Sequence, residues 1–184
     1  MPLEHAILGF LSFQPMTGYD LKKNFDQSVA NFWSATQSHI YKALDGLEKK
    51  GWAESRLIPQ EGKPNRKEYH ITGPGRSELR RWLVTPLPLP QVREGWLIQL
   101  FFSHESSNEE IAALLQSRRE AIRAELKTLQ EGVSTPKDSA SDGLARARRL
   151  WRLTLDYGIA YYEAELAWLD QAIEQVRSLP QLEN

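Results

Sequence analysis

Apolar residues recur at helical spacing through most of the chain, broken by one stretch of alternation near its middle. "LEHAILGFLS", residues 3–12, predicts a short helix. "TGYDLKKNF" opens a second at Thr17, where Thr17 and Asp20 have the spacing of an N-cap and its N3 partner. Leu21 and Phe25 then share one face. Ser34 followed by Gln37 predicts an S-x-x-Q box starting a third helix, with Ile40, Ala43, Leu44 and Leu47 as its buried stripe. Gly51 supplies a left-handed stop. The period then shifts towards alternation: "WAESRLI" and "RKEYHI" read as strands, and "PQEGKPN" between them as a turn. Thr72 caps a fourth helix, "GPGRSELRRWL", with Pro74 in its first turn.

That order predicts a winged helix-turn-helix over residues 1–84, in which the second and third helices form the reading unit and the hairpin a two-stranded β-wing. Residues 85–92, "TPLPLPQV", form a Pro-rich, extended connector. Residues 93–184 are expected to be all-α. "REGWLIQLFF" is a short apolar helix, and Ser107 with Glu110 starts a longer one to about Glu131, ended by Gly132. "VSTPKDSASDG" is a loop by composition. A helix from Leu144 to about Val176 would run ~50 Å and needs a partner surface. The fold class is therefore mainly α, an N-terminal winged helix-turn-helix plus an all-α C-terminal domain.

Composition narrows the chemistry. The 184 residues, 41% of them hydrophobic, suffice to bury roughly 70% of the unfolded surface. There are no cysteines, so disulfides, zinc–thiolate sites and thiol redox sensing are excluded. His5, His39, His70 and His104 show no metal-ligand spacing. No phosphate loop, G-x-S-x-G or H-E-x-x-H is present, so no catalytic residues, metal site or cofactor are expected. No apolar run approaches a membrane span and the start lacks a signal peptide, so a cytoplasmic protein is expected, without a membrane partner. Residues 1–84 carry a formal charge of +3 and residues 85–184 one of −4, a division that suggests two jobs.

The outer face of the third helix is rich in donors. Gln can bond bidentately to adenine, Ser can bond any base, Lys reaches guanine or phosphate, and Tyr can bond a phosphate. Gln37, Ser38, His39, Tyr41 and Lys42 are thus candidate contacts to double-stranded DNA, in the half of the helix that enters the groove. The alternative is an ordinary solvated face. Asp45 and Gly46 lie in the other half; one would repel phosphate, and the other weakens the helix by about 1 kcal/mol. Lys63, Arg66 and Lys67 on the wing suit phosphates or the minor groove, against the alternative of a solvated hairpin tip. Thr17 and Tyr19, where the second helix begins, complete the DNA-binding set.

Aromatic residues crowd the acidic part: Trp96, Phe101, Phe102, Trp151, Tyr157, Tyr161, Tyr162 and Trp168. They fit a core with a dimer interface or, alternatively, an effector pocket. Trp96, Leu97, Leu100, Phe101, Trp151, Leu155, Tyr161, Tyr162, Leu166 and Leu169 are the candidate dimerisation residues.

"ILGFLSFQPMTGYDLKKNF", "SHIYKALDGLEKKGW", "RKEYHIT", "RWLVTPLPLPQVREGWLIQLFF" and "RRLWRLTLDYGIAYYEAELAWLDQAI" together make the chain resemble the PadR family of bacterial transcriptional regulators, in the branch with a long Vir-type C-terminal domain. The resemblance implies a homodimer with interlocked C-terminal helices and two heads on a palindromic site. It implies a repressor more often than not, with a phenolic acid or another planar aromatic molecule as effector in some members. It also places Gln37, Tyr41 and Lys42 at the groove or its phosphates. Asp45, Gly46 and Gln99 depart from the family's usual residues. The rival expectation is a winged-helix protein–protein interaction module without DNA binding.

Overall fold

The computed structural model describes residues 2–30, 32–59, 65–131 and 144–180. The chain divides into two compact units, Met1–Leu89 and Pro90–Asn184, parting inside the Pro-rich stretch.

The first unit runs α1 (Pro2–Phe13), β1 (Met16–Thr17), α2 (Gly18–Ser28), α3 (Gln37–Lys49), β2 (Ala53–Ile58), β3 (Arg66–Ile71) and α4 (Gly73–Leu83). Ile7, Leu8 and Leu11 of α1, Leu21 and Phe25 of α2, and Ile40, Leu44 and Leu47 of α3 meet Tyr69 and Leu79 in one buried cluster. Of these, Leu21, Phe25, Ile40, Leu44 and Leu47 are residues that helical periodicity selects. β2 and β3 pair antiparallel as expected, with Ser55 opposite Tyr69, while residues 60–64 of the expected turn lie outside the described residues. β1 was not expected. It pairs antiparallel with β3, Met16 opposite Tyr69 and Thr17 opposite Glu68, and makes a three-stranded sheet of order β1-β3-β2.

Caps fix the helix starts. Thr17 and Asp20 form a complete capping box. Thr72 accepts from the Gly75 amide, and Gly51 stops α3 at φ +69°. The start of α3 corrects the sequence expectation: its N-cap is Thr36, not Ser34. Thr36 has extended backbone and its hydroxyl accepts from the His39 amide at 3.3 Å. The helix therefore begins at Gln37, which puts Gln37, Ser38 and His39 in its first turn.

Gly46 gains a structural reason. The buried Glu4 carboxylate takes two hydrogen bonds from Lys50 Nζ, each 2.8 Å, and a Cβ on Gly46 would lie 3.0 Å from Glu4 Oε1. Helix propensity gives way there to an ion pair joining α1 to the end of α3.

α1 and α4 are joined by His5, whose ring stacks on Trp82 at 4.6 Å and pairs with Glu78 Oε1 at 2.9 Å. Arg81 also bonds Glu78, at 2.6 and 2.8 Å. Arg81 first, and His5 second, hold the Glu78 carboxyl down at about 2, against an ordinary 4.5. A lowered folded-state value means that this contribution to stability is fully present above about 4.5 and is lost as pH falls through about 2. Glu78→Gln is therefore expected to make the fall in urea midpoint over that acid range shallower than in the parent chain.

The second unit holds α5 (Gly95–Phe101), a 3-10 turn (Ser103–Glu105), α6 (Asn108–Glu131) and α7 (Ala145–Arg177). Ser107 and Glu110 exchange the bonds of the expected box, with Glu110 N–H donating to Ser107 Oγ and Ser107 N–H to Glu110 Oε2. α6 and α7 form an antiparallel hairpin. Asn108 bonds the Leu179 carbonyl, Arg118 the Glu165 carboxylate and Arg119 that of Asp170. Ile111, Ala112, Leu115 and Ile122 pack against Leu169, Ile173 and Val176. At 33 residues against 24, α7 outruns α6. Gly132 and the expected 133–143 loop lie outside the described residues. No helix among the described residues is long and apolar enough to cross a membrane.

The hairpin sorts the candidate dimerisation residues. Leu169 is 0% exposed within the chain's own core, so it serves α6 packing and not a partner surface, and Leu155 is buried too. Trp96, Leu100, Tyr162 and Leu166 pack partly buried on the same cluster. Leu97, Phe101, Trp151 and Tyr161 remain exposed, Phe101 at 79%. The periodicity of α7 shows an apolar stripe but not which neighbour covers it.

Candidate nucleic-acid interface

Pairing of β1 with β3 brings the start of α2 against the wing, because Thr17 is at once a strand residue and the α2 N-cap. Its hydroxyl donates to Asp20 Oδ2 at 2.7 Å and accepts from the Asp20 amide at 3.1 Å. The next residue, Gly18, leaves room for the Tyr41 ring of α3. A Cβ on Gly18 would sit 2.5 to 2.9 Å from atoms of that ring. Tyr41 thus lies across the α2 N-terminus with 41% of its surface exposed, and Tyr19 beside it is 68% exposed.

These side chains open onto a groove of about 380 Å³ lined by Thr17, Gly18, Tyr19, Asp20, Tyr41, Arg66, Lys67 and Tyr69. Five of the candidate DNA residues converge here: Thr17, Tyr19, Tyr41, Arg66 and Lys67. Gln37, Ser38, His39 and Lys42 are exposed on α3, outside that lining. Lys63 falls outside the described residues.

The wing cations are engaged. Arg66 Nη2 donates to Asp20 Oδ2 at 3.1 Å and lies 3.7 Å from Glu68 Oε1. Lys67 Nζ donates to Glu48 Oε2 at 3.0 Å and sits 4.9 Å above the Tyr69 ring. The Thr17 hydroxyl holds the Asp20 carboxyl below its ordinary range, and Arg66 adds to the effect. Burial pushes Glu48 up, but hydrogen bonds from Ser55 and Lys67 outweigh it and lower the carboxyl. The same Glu48 contact raises Lys67. Asp20 and Glu48 are therefore carboxylates held ionised by the partners they engage.

Sequence reasoning pointed to the start of α2 but missed the Gly18–Tyr41 packing and the carboxylates Asp20 and Glu48. A glycine directly after an N-cap was a usable signal, since nothing in helix capping requires it. The two carboxylates gave none, because Asp20 is 46 positions from Arg66 and Glu48 is 19 from Lys67.

In the second unit the aromatics pack in pairs. Trp96 meets Trp168 edge-on at 5.7 Å, Tyr161 meets Tyr162 at 5.6 Å, and Arg118 lies 4.2 Å over Trp96. The Trp96 indole N–H bonds Glu94 at 3.0 Å. Among the described residues no group of three or more His, Asp or Glu converges on a metal-sized site.

Residues 7–81 match the model of the Transcriptional regulator PadR-like family, and residues 92–177 that of the Virulence activator alpha C-term domain. A probable transcriptional regulator of Mycobacterium tuberculosis is 34% identical over 194 residues, covering 96% of this chain and 98% of that protein. The negative transcriptional regulator PadR of Bacillus subtilis is 33% identical over 129 residues, covering 70% of this chain and 71% of PadR. The structure of B. subtilis PadR in complex with operator DNA has a TM-score of 0.82 at 26% identity, covering 96% of this chain and 99% of that one. PadR in complex with p-coumaric acid gives 0.80 at 27% identity, covering 97% and 100%. The chain belongs to the PadR-like family of transcriptional regulators and is not an enzyme.

Proposed function

We propose that this protein is a sequence-specific DNA-binding repressor of the cytoplasm that acts as a homodimer on a palindromic operator. Residues 1–84 are the reading head, 85–92 the connector and 93–184 the dimerisation and effector domain. The observation that carries the reading is the exposed first half of α3. Gln37, Ser38, Tyr41 and Lys42 stand there beside a groove whose other wall is the basic wing. A major groove admits one α-helix, and amide, hydroxyl and ammonium groups match its base edges and flanking phosphates. Thr17 and Tyr19 of α2 and Arg66 and Lys67 of the wing are placed to take the backbone on either side. That B. subtilis PadR, a negative regulator, has been solved with operator DNA supports the same use here.

Dimerisation gives the head its partner. Leu150, Trp151 and Leu153, in the part of α7 that outruns α6, are exposed, as are Leu97, Phe101 and Tyr161. A second copy would cover these side chains and hold two α3 helices about 34–36 Å apart, one turn of the duplex. A small aromatic acid, the class that B. subtilis PadR is solved with, would act by preferring an arrangement with a different spacing. Selecting duplexes from a random pool on the full-length chain tests this. An inverted repeat with half-site centres about 10 bp apart is expected; recovery of unrelated sequences would overturn the reading.

A further inference from the structure

The base-facing and backbone-facing cations of the head are treated differently. No carboxylate among the described residues pairs with Lys42, on the exposed face of α3. Two described wing cations are occupied by carboxylates from outside the hairpin: Arg66 by Asp20 at 3.1 Å, and Lys67 by Glu48 at 3.0 Å. Neither carboxylate is a passing neighbour. Asp20 is fixed by the Thr17 amide and hydroxyl, and Glu48 is bonded from Ser55 of β2.

We infer that Asp20 and Glu48 are specificity-determining residues: they mask the wing cations and so hold down sequence-independent binding to duplex DNA. This rests on the DNA-binding reading above. An ion pair is a small dipole, and beyond a Debye length of about 8–10 Å it attracts phosphate weakly. Binding to random duplex is essentially all counterion release, so a masked wing contributes little to it. On an operator, base contacts from α3 bring the phosphates into hydrogen-bond reach of the wing. Phosphate then replaces carboxylate, an exchange that is cheap because exposed ion pairs add little net stability. The wing is counted only where α3 has already read its sequence.

Glu48→Gln is the cleanest probe, since it keeps the shape and one acceptor oxygen while freeing the charge of Lys67. Full-length parent and variant are titrated onto a selected operator duplex and a scrambled duplex at stepped salt. On scrambled DNA the variant is expected to steepen the log–log salt slope by about 0.9 and to bind about fivefold more tightly at low salt. Operator affinity rises less, so the specificity ratio falls. Glu48→Gln combined with Lys67→Gln removes the pair without leaving a lone charge: operator binding weakens, while the slope on scrambled DNA stays as in the parent. An unchanged slope for Glu48→Gln on scrambled DNA overturns the inference, as does a shallower one for the double variant. Both leave the DNA-binding reading standing. That reading fails separately, if the parent chain binds neither duplex.

Discussion

Tyr41→Ala combined with Lys42→Ala is expected to weaken operator binding about 30- to 20,000-fold, the sum of two contacts worth about 1–3 kcal/mol each. Lys42 is exposed and unpaired by any described carboxylate, so its loss removes a contact without opening a hole. Tyr41 packs its ring over Gly18 and presents its hydroxyl at the groove. Its removal also frees the α2 N-terminus to shift. Because both side chains are exposed, the urea midpoint should correspond to a stability change within about 1 kcal/mol. Gel-shift or anisotropy titrations beside an equilibrium melt measure the two effects together. Unchanged affinity would mean that the head reads DNA with some other face.

Gly75→Ala is the substitution expected to cost most in stability. Thr72 anchors the start of α4 to the start of the hairpin, its amide donating to the Trp52 carbonyl at 3.1 Å and its hydroxyl to the Gly51 carbonyl at 2.7 Å. That anchorage draws the first turn of α4 onto the backbone. A Cβ on Gly75 would overlap the Trp52 carbonyl oxygen and lie 2.9 Å from its carbon. The obstacle is main chain, so rotamer changes cannot relieve it. A loss of about 3 kcal/mol follows, with a melting temperature lower by on the order of 10 °C or more. Gly73 has nothing within 4 Å of its would-be Cβ. Gly73→Ala should therefore stay within about 0.5 kcal/mol of the parent. Equal losses at the two positions would show that helix geometry, and not this close approach, sets the requirement for glycine.

The parts of the fold legible in the sequence were those governed by local physics. Thr17 with Asp20, Thr72 with Pro74, Ser107 with Glu110, and Gly51 are short-range signals, and each marks the boundary it was expected to mark. The apolar stripe of α3 is the stripe that is buried. Ser34 misled because Thr36, two residues on, offers the same hydroxyl in extended backbone, and spacing alone does not choose between them. β1 escaped because two residues are too few to show alternation; its pairing exists only once β3 is beside it. Leu169 shows the same limit in α7, where period marks an apolar face and tertiary packing decides what covers it.

The candidate site divides along the same line. Residue types on α3 and on the wing pointed to nucleic acid once the order of elements had suggested a winged helix-turn-helix. What the sequence could not show is that Tyr41 needs Gly18 vacant of a side chain, or that Arg66 and Lys67 arrive already paired. Those facts come from contacts across 19 to 46 positions. They turn a list of cations into a head whose wing is held in check.

Titration of the full-length chain onto its own promoter DNA at stepped salt tests the central claim most directly. Two heads bound to one duplex should give a straight line of log Kobs against log salt with a slope of about −5 or steeper. A slope near zero, or no retained duplex at about 50 mM salt, would contradict it.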